Sequence, residues 1–208
     1  MIIDCSQYPT DQLYFLMIQL IIPRPIAWVL SDNGTGNYNL APFSFFNGVA
    51  SNPPLLMISV GWKDELTRKD TWVNIKERSH FVVHIPSVDQ VHEVSDTSTV
   101  FPHGVSEIDK FHLSLEKVEG WSLPRVKDAK IAFFCERYAI YEIGDDPQGM
   151  ILGKINGICM NDELISKNKD RLVIDPLKVN PLLRLGGNHY AHLGEILTVQ
   201  RPGKPKET

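Results

Sequence analysis

Pro23-Arg24-Pro25-Ile26-Ala27-Trp28-Val29-Leu30 opens the stretch on which the fold turns. A turn-rich Ser31-Asp32-Asn33-Gly34-Thr35-Gly36 follows, and then Asn39-Leu40-Ala41-Pro42-Phe43-Ser44-Phe45-Phe46-Asn47. Ser51-Asn52-Pro53-Pro54-Leu55-Leu56-Met57-Ile58-Ser59 and Lys69-Asp70-Thr71 complete it. Apolar runs of strand length are broken here by prolines and short polar residues, a pattern that leaves backbone amides and hydroxyls free for a ligand. Lys69-Asp70-Thr71 stands where a helical pattern begins, and the free amides and positive dipole end of a helix start favour an anion. Taken without any outside comparison, the residues favour a plainer arrangement: two core strands joined by a surface turn, with Lys69 in solvent.

Working outward, Thr10 to Leu20 has the spacing of a short helix, capped by Thr10 or Asp11, with Leu13, Leu16, Met17 and Leu20 on one side. Pro23 and Pro25 force an extended entry into a first core strand over Ile26 to Leu30. Gly34 and Gly36 mark a turn but no phosphate-binding glycine motif, because no βα unit surrounds them. Tyr38 to Ala50 reads as strand and loop, Leu55 to Val60 as a buried strand, Asp70 to Arg78 as a helix with Trp72, Val73 and Ile75 inward, and His80 to Ile85 as an alternating strand.

Val88 to Thr97 has helical character, Thr97 to His103 a polar, proline-containing loop character, and Ser106 with Asp109 the look of a capped short helix. Strands are predicted over Leu113 to Val118, Ile131 to Ile143 and Met150 to Met160, with a turn signal at Gly144-Asp145-Asp146-Pro147. Pro176 to Arg184 is irregular or helical, and a last short strand or two is expected within His189 to Val199. No repeat, low-complexity run or composition change divides the chain, so residues 1–208 are expected to form a single domain.

The 208 residues suffice for one well-buried core. A hydrophobic content of 43% with 22% charged residues is that of an ordinary globular protein and argues against disorder. The net charge of -4 supplies no general attraction to phosphate backbones or anionic lipid, which sets nucleic acid and membrane surfaces aside as partners. Leu13 to Leu30 is apolar but interrupted by Gln19, Pro23, Arg24 and Pro25, too broken to span a membrane. Polar residues from Asp4 to Pro9 stand where the apolar core of a signal peptide would be. Cys5, Cys135 and Cys159 lie far apart with no C-x-x-C pair, which fits small buried or semi-buried residues in a reducing cytoplasm. The basic Arg201 to Lys206 reads as a frayed tail.

Arg24 to Val29, Asn39 to Asn47, Asn52 to Leu55 and Lys69-Asp70-Thr71 together resemble the flavin reductase-like family of FMN-binding split barrels. Phe134-Cys135-Glu136 and Asn180-Pro181-Leu182-Leu183-Arg184-Leu185-Gly186-Gly187 with Tyr190 extend the resemblance over nearly the whole chain, in the same order. It implies a mainly β, antiparallel Greek-key split β-barrel with a few short helices, assembled as a homodimer in which the partner subunit completes the flavin pocket. It also implies that Asn39, Ala41, Phe43, Ser44 and Phe45 hold the flavin ring and ribityl chain, and that Lys69 and Thr71 bind the phosphate with Asp70 nearby. A phosphate dianion needs charge-assisted donors of that kind, and an isoalloxazine ring needs an apolar wall with amides at its polar edge. FMN is favoured over FAD by the same motifs, with NADH or NADPH as the electron donor. The alternative of another class is an FMN-binding electron carrier or flavin store without turnover.

Several residues keep two readings. Phe43, Phe45, Phe46 and Trp28 each also suit plain core packing, and Trp28 faces either the barrel core or the dimer surface. Arg24 serves either the site or a neighbouring loop. His189 and Tyr190, after the double glycine, form either part of a substrate pocket at the mouth of the flavin site or an ordinary surface turn. His189, His192 and Glu195 share an H-x-x-H-x-x-E spacing, but in a region of strand character it does not make a metal site. No G-x-S-x-G elbow supports hydrolysis, and His80 and His84 read as outward or internally satisfied.

Overall fold

A computed structural model describes residues 1–208 except 65, 146–147, 169–170, 201 and 203–208. Strand β1 (Ala27–Asp32) lies at the heart of it, buried on both faces. Ala27 and Val29 pack with Leu56, Ile58, Ile75 and Ile151 on one side, while Trp28 and Leu30 pack with Leu40, Val82, Val94 and Phe134 on the other. Two-sided burial is why the sequence here runs apolar without alternation.

Six further strands complete a seven-stranded antiparallel sheet: β2 (Tyr38–Phe43), β3 (Phe46–Ser51), β4 (Pro54–Val60), β5 (His80–Ile85), β6 (Ile131–Ile143) and β7 (Gln148–Met160). Their spatial order is β2-β1-β5-β6-β7-β4-β3. The two edge strands, β2 and β3, are consecutive in the chain and separated by Ser44 and Phe45 alone. The sheet therefore curls until its opposite edges nearly meet, and the Ser59 amide donates to the Phe45 carbonyl at 2.8 Å beside that crossing.

Helix α1 (Thr10–Leu20) has the expected bounds, but Pro9 precedes its first turn and no side chain caps it, so neither Thr10 nor Asp11 plays that part. The side carrying Leu13, Leu16, Met17 and Leu20 is only partly covered, with Leu13 and Leu16 half-buried. Only Ile18 is buried, whereas Met17 and Leu20 are 48% and 74% exposed. Helix α2 (Asp70–Arg78) buries Trp72 and Ile75 and leaves Val73 half-buried. Its far end is tied to β1, since Asn74 donates to Ser31 and Asn33 and the Arg78 Nε donates to the Asp32 carbonyl at 2.8 Å. The Val88 to Thr97 region forms a 3-10 turn over Val88–Gln90 and then α3 (Val91–Asp96), and Ser106 caps α4 (Glu107–Lys110) through the Asp109 amide.

Other expectations are corrected. The strand expected over Leu113 to Val118 is only Leu115–Glu116, paired with Arg125–Val126, because His112 sits at φ +54° and Gly120 at φ +82° on either side of it. The short strand expected within His189 to Val199 is present as Tyr190–Ala191, paired with Leu183–Arg184, and Ile196 and Leu197 beyond it are exposed. A hairpin of Ile165–Asn168 with Arg171–Ile174 had no sequence counterpart. Cys5 is exposed rather than semi-buried, because the turn Cys5–Gln7 buries none of its residues. Of the turn at Gly144 to Pro147, Asp146 and Pro147 lie outside the described residues, as does the basic tail except Pro202.

Trp28 is wholly buried, its indole nitrogen donating to the Thr97 hydroxyl at 2.9 Å, so it belongs to the core. His84 is also wholly buried. Its Nε2 accepts from the Val126 amide at 3.0 Å, which leaves the proton on Nδ1 to bond the Trp28 carbonyl at 2.9 Å. Burial of this fully satisfied neutral ring lowers its pKa to about 4. His80, by contrast, is exposed. No helix among the described residues is long and apolar enough to cross a membrane.

Candidate functional site

The loop between β4 and α2 folds back on itself. Trp62 bridges to Arg68, the Lys63 amide donates to the Thr67 carbonyl, and the Asp64 carboxylate accepts from the amides of Leu66 and Thr67. The Arg68 guanidinium lies 3.7 Å from the Trp62 ring centroid and 4.8 Å from that of Trp72, and pairs with Glu142 at 2.7 Å. A planar cation held between two indoles is a firm anchor. It delivers the next three residues, Lys69, Asp70 and Thr71, to the mouth of a cleft whose far wall is β2.

Asn39, Ala41 and Phe43 line that cleft from β2, while Lys69, Asp70 and Thr71 line it from α2. Asn39 and Thr71 are buried, and the Asn39 amide donates to the Thr71 hydroxyl at 2.9 Å, so the hydroxyl proton remains available to another acceptor. Asp70 is buried as well and its charge is answered within the protein: Lys63 Nζ and His103 Nδ1 each lie 3.1 Å from Oδ1, and the Gly104 amide donates to Oδ2 at 3.2 Å. Lys69 has no such answer. Its ammonium sits 5.5 Å from the Phe43 ring centroid, and no carboxylate pairs with it among the described residues. Burial, and then the neighbouring Lys63, lower its pKa. A half-buried cation at the start of a helix, in one cleft with an available hydroxyl proton, is arranged for an anion.

Lys69 and Phe43 also border a second hollow that continues along Ser44 and Phe45 to Ser59 and Gln148. Beyond it a broad apolar groove runs between α1 and the sheet, with Met17, Ile21, Phe45, Phe46, Met57 and Met150 on its walls. The sequence-derived residues from Asn39 to Phe45 and from Lys69 to Thr71 are thus brought together around a single segment, Pro42-Phe43-Ser44.

Tyr190 reaches that segment from the other side, in a hollow it shares with Phe43, Ser44 and Ser98. His189 is exposed and turns back to the Gly186 carbonyl at 3.1 Å, and His192 is exposed beside the Leu193 carbonyl. No group of three or more histidine, cysteine, aspartate or glutamate side chains able to hold a metal is found among the described residues.

Four features escaped the sequence reading. Lys63 lies outside the motif. The loop from Thr97 to Phe101, polar in composition, lines the cleft together with Asn39. His103 holds Asp70. Glu107, hidden inside the α4 cap, is buried at the floor of the cleft and accepts from the Leu40 amide at 2.9 Å. Burial raises the Glu107 pKa to about 7 against the opposing effect of that amide. Arg24 proves to be a clamp. Its guanidinium donates to the carbonyls of Ile18, Ile21 and Leu185 and to the Ser44 hydroxyl, tying the end of α1 to the sheet crossing and to the Leu185 turn.

Residues 19–183 match the model of the flavin reductase like domain. The fold superposes on nitrilotriacetate monooxygenase component B from Bacillus cereus with a TM-score of 0.88 at 34% identity, covering 96% of this chain and 98% of that one. On the 2-nitrobenzoate 2-nitroreductase NbaA of Pseudomonas fluorescens the TM-score is 0.85 at 30% identity, with coverage of 100% and 99%. A split-barrel-domain protein from Shewanella frigidimarina shares the fold at a TM-score of 0.80 and 15% identity, covering 95% of this chain and 96% of that one.

Proposed function

This chain belongs to the flavin reductase-like domain family, and from that premise we propose that it is an FMN-dependent oxidoreductase taking hydride from NADH or NADPH and passing electrons to a further acceptor. One observation carries the reading: Lys69, half-buried and without a carboxylate partner among the described residues, lines the same cleft as Thr71 at the start of α2. The donor set suits a phosphate monoester. Lys69 supplies charge and Thr71 supplies a proton, while of the two carboxyl groups in the cleft Asp70 is already engaged by Lys63, His103 and the Gly104 amide and Glu107 accepts from the Leu40 amide.

When bound, the flavin supplies hydride acceptance from the dihydronicotinamide C4 and stepwise or paired release of the two electrons. The chain's own part is to bind, orient and exclude water. Ala41, Pro42 and Phe43 offer an apolar wall, and the Asn39 to Thr71 hydrogen bond fixes the phosphate end relative to it. Arg24 keeps the Ser44 hydroxyl in place. No ionisable side chain is required to move a proton in a hydride step, which suits a wall made of short and apolar residues.

We infer, further, that two copies of the chain associate over the groove between α1 and the sheet. Tyr14, Phe15, Met17, Leu20, Ile21 and Ile22 form a run of exposed apolar side chains continuous with it, more than a lone chain comfortably leaves in water. The test of function is anaerobic: protein saturated with FMN is mixed with NADH or NADPH and the visible flavin band is followed. Prompt bleaching is expected. A band that persists with either donor, in protein that demonstrably holds FMN, leaves an electron carrier instead.

A further inference from the structure

Arg24 and Arg184 are direct partners across the short ladder that joins Arg24–Pro25 to Leu183–Arg184. The first is saturated with protein acceptors, as described above. The second is not: it donates to the His189 carbonyl at 3.3 Å, and no carboxylate pairs with it among the described residues. Its guanidinium lies 4.6 Å from the Tyr190 ring centroid, a stacking contact that leaves the edge of the fork available. The two arginines also oppose each other. The Arg24 pKa is lowered first by burial and next by the charge of Arg184.

The hollow beside Arg184 includes Tyr190, Ser98, Phe43 and Ser44, and among the described residues no acidic side chain lines it. It shares Pro42, Phe43 and Ser98 with the Lys69 cleft, and Ser44 with the hollow along Phe45. Arg184 itself lines neither of those. Two uncompensated cations thus stand on different sides of one apolar segment: Lys69, assigned above to the flavin phosphate, and Arg184, to which that phosphate gives no employment. A reaction between a flavin and a dinucleotide brings a second phosphate-bearing molecule to the same wall.

We propose that Arg184, with Tyr190 and Ser98 beside it, forms the subsite for a phosphate of the reduced nicotinamide donor; the assignment rests on the flavin reading above. A guanidinium fork matches the paired oxygens of a phosphate, and the Tyr190 ring keeps the fork's orientation fixed before the donor arrives. The phosphate is either the bridging pyrophosphate, common to NADH and NADPH, or the 2′-phosphate of NADPH alone.

The test uses FMN-loaded full-length protein, wild type, Arg184→Gln and Arg184→Lys, in anaerobic stopped-flow titrations with NADH and with NADPH. For Arg184→Gln the donor dissociation constant is expected to rise by about tenfold or more, with the limiting reduction rate and the separately titrated FMN affinity within about twofold of wild type. Arg184→Lys, which keeps the charge and loses the fork, recovers part of the affinity. An equal loss for both donors assigns the pyrophosphate, and a loss confined to NADPH assigns the 2′-phosphate. Inorganic pyrophosphate added to the wild type competes with the donor in the first case, a reading that needs no variant to fold. A donor affinity unchanged in Arg184→Gln, with FMN bound normally, overturns the subsite alone. A wild type that takes up no FMN fails at the earlier titration and removes both readings.

Discussion

Lys69 and Glu107 face the same cleft with opposite electrical problems. Lys69 is a cation waiting for a partner, so Lys69→Ala is expected to weaken FMN binding by about 1–3 kcal/mol, the scale of a charge-assisted hydrogen bond, in a fluorescence titration. An unchanged affinity takes Lys69 out of the phosphate site. Glu107 is a carboxyl that burial holds neutral, with a pKa raised from 4.5 to about 7. Below pH 4.5 it is protonated folded or unfolded and contributes no difference. As pH rises to 7 the unfolded chain ionises freely while the folded one resists, so folding loses about 3 kcal/mol over that window. Gln at 107 keeps the acceptor for the Leu40 amide without the charge. Glu107→Gln should therefore be the more stable protein by about that amount at pH 8, with the advantage gone by pH 4.5, in urea unfolding at the two pH values. His84 works in the opposite sense: its pKa of about 4 costs stability as pH falls from 6.5, so the two groups offset each other in the wild type.

Helix α2 and strand β5 were readable at their observed limits because their signals are local: an inward Trp72 and Ile75 at helical spacing, then alternation from His80 to Ile85. The N-terminal half of the site, Asn39 to Phe45, was readable as a motif. Lys63, the loop from Thr97 to Phe101, His103 and Glu107 were not, since each joins the cleft only through contacts distant in sequence. The Glu107 carboxyl, for instance, meets an amide 67 residues away. The exposure of α1 was not legible, because apolar spacing tells which residues share a face and not what that face meets. Helix α2, which carries the proposed phosphate site, has its own weak point at Gly149 of β7, packed against Trp72. A Cβ there would stand 2.3 Å from the Trp72 ring, which is buried and backed by Arg68, so the ring has little room to retreat. Gly149→Ala is expected to cost about 1–3 kcal/mol in chemical denaturation and to weaken FMN binding as well, because Thr71 adjoins the displaced ring.

At the scale of the whole molecule, the apolar face of α1 and the groove beside it are a broad unfinished surface. Met17→Glu puts a charge at a position 48% exposed in the single chain and should leave its folding intact. Light scattering on the wild type is expected to give twice the chain mass, and on the variant the chain mass itself. A wild type of single-chain mass refutes the association. The curl of the sheet has a different bearing. Since only Ser44 and Phe45 span its opposite rims, that dipeptide acts as a hasp on a cylinder slit along its length. New chain ends introduced there would let the wall spring apart at the very place where the proposed flavin site lies, whereas ends introduced near Gly34 would leave the hasp shut.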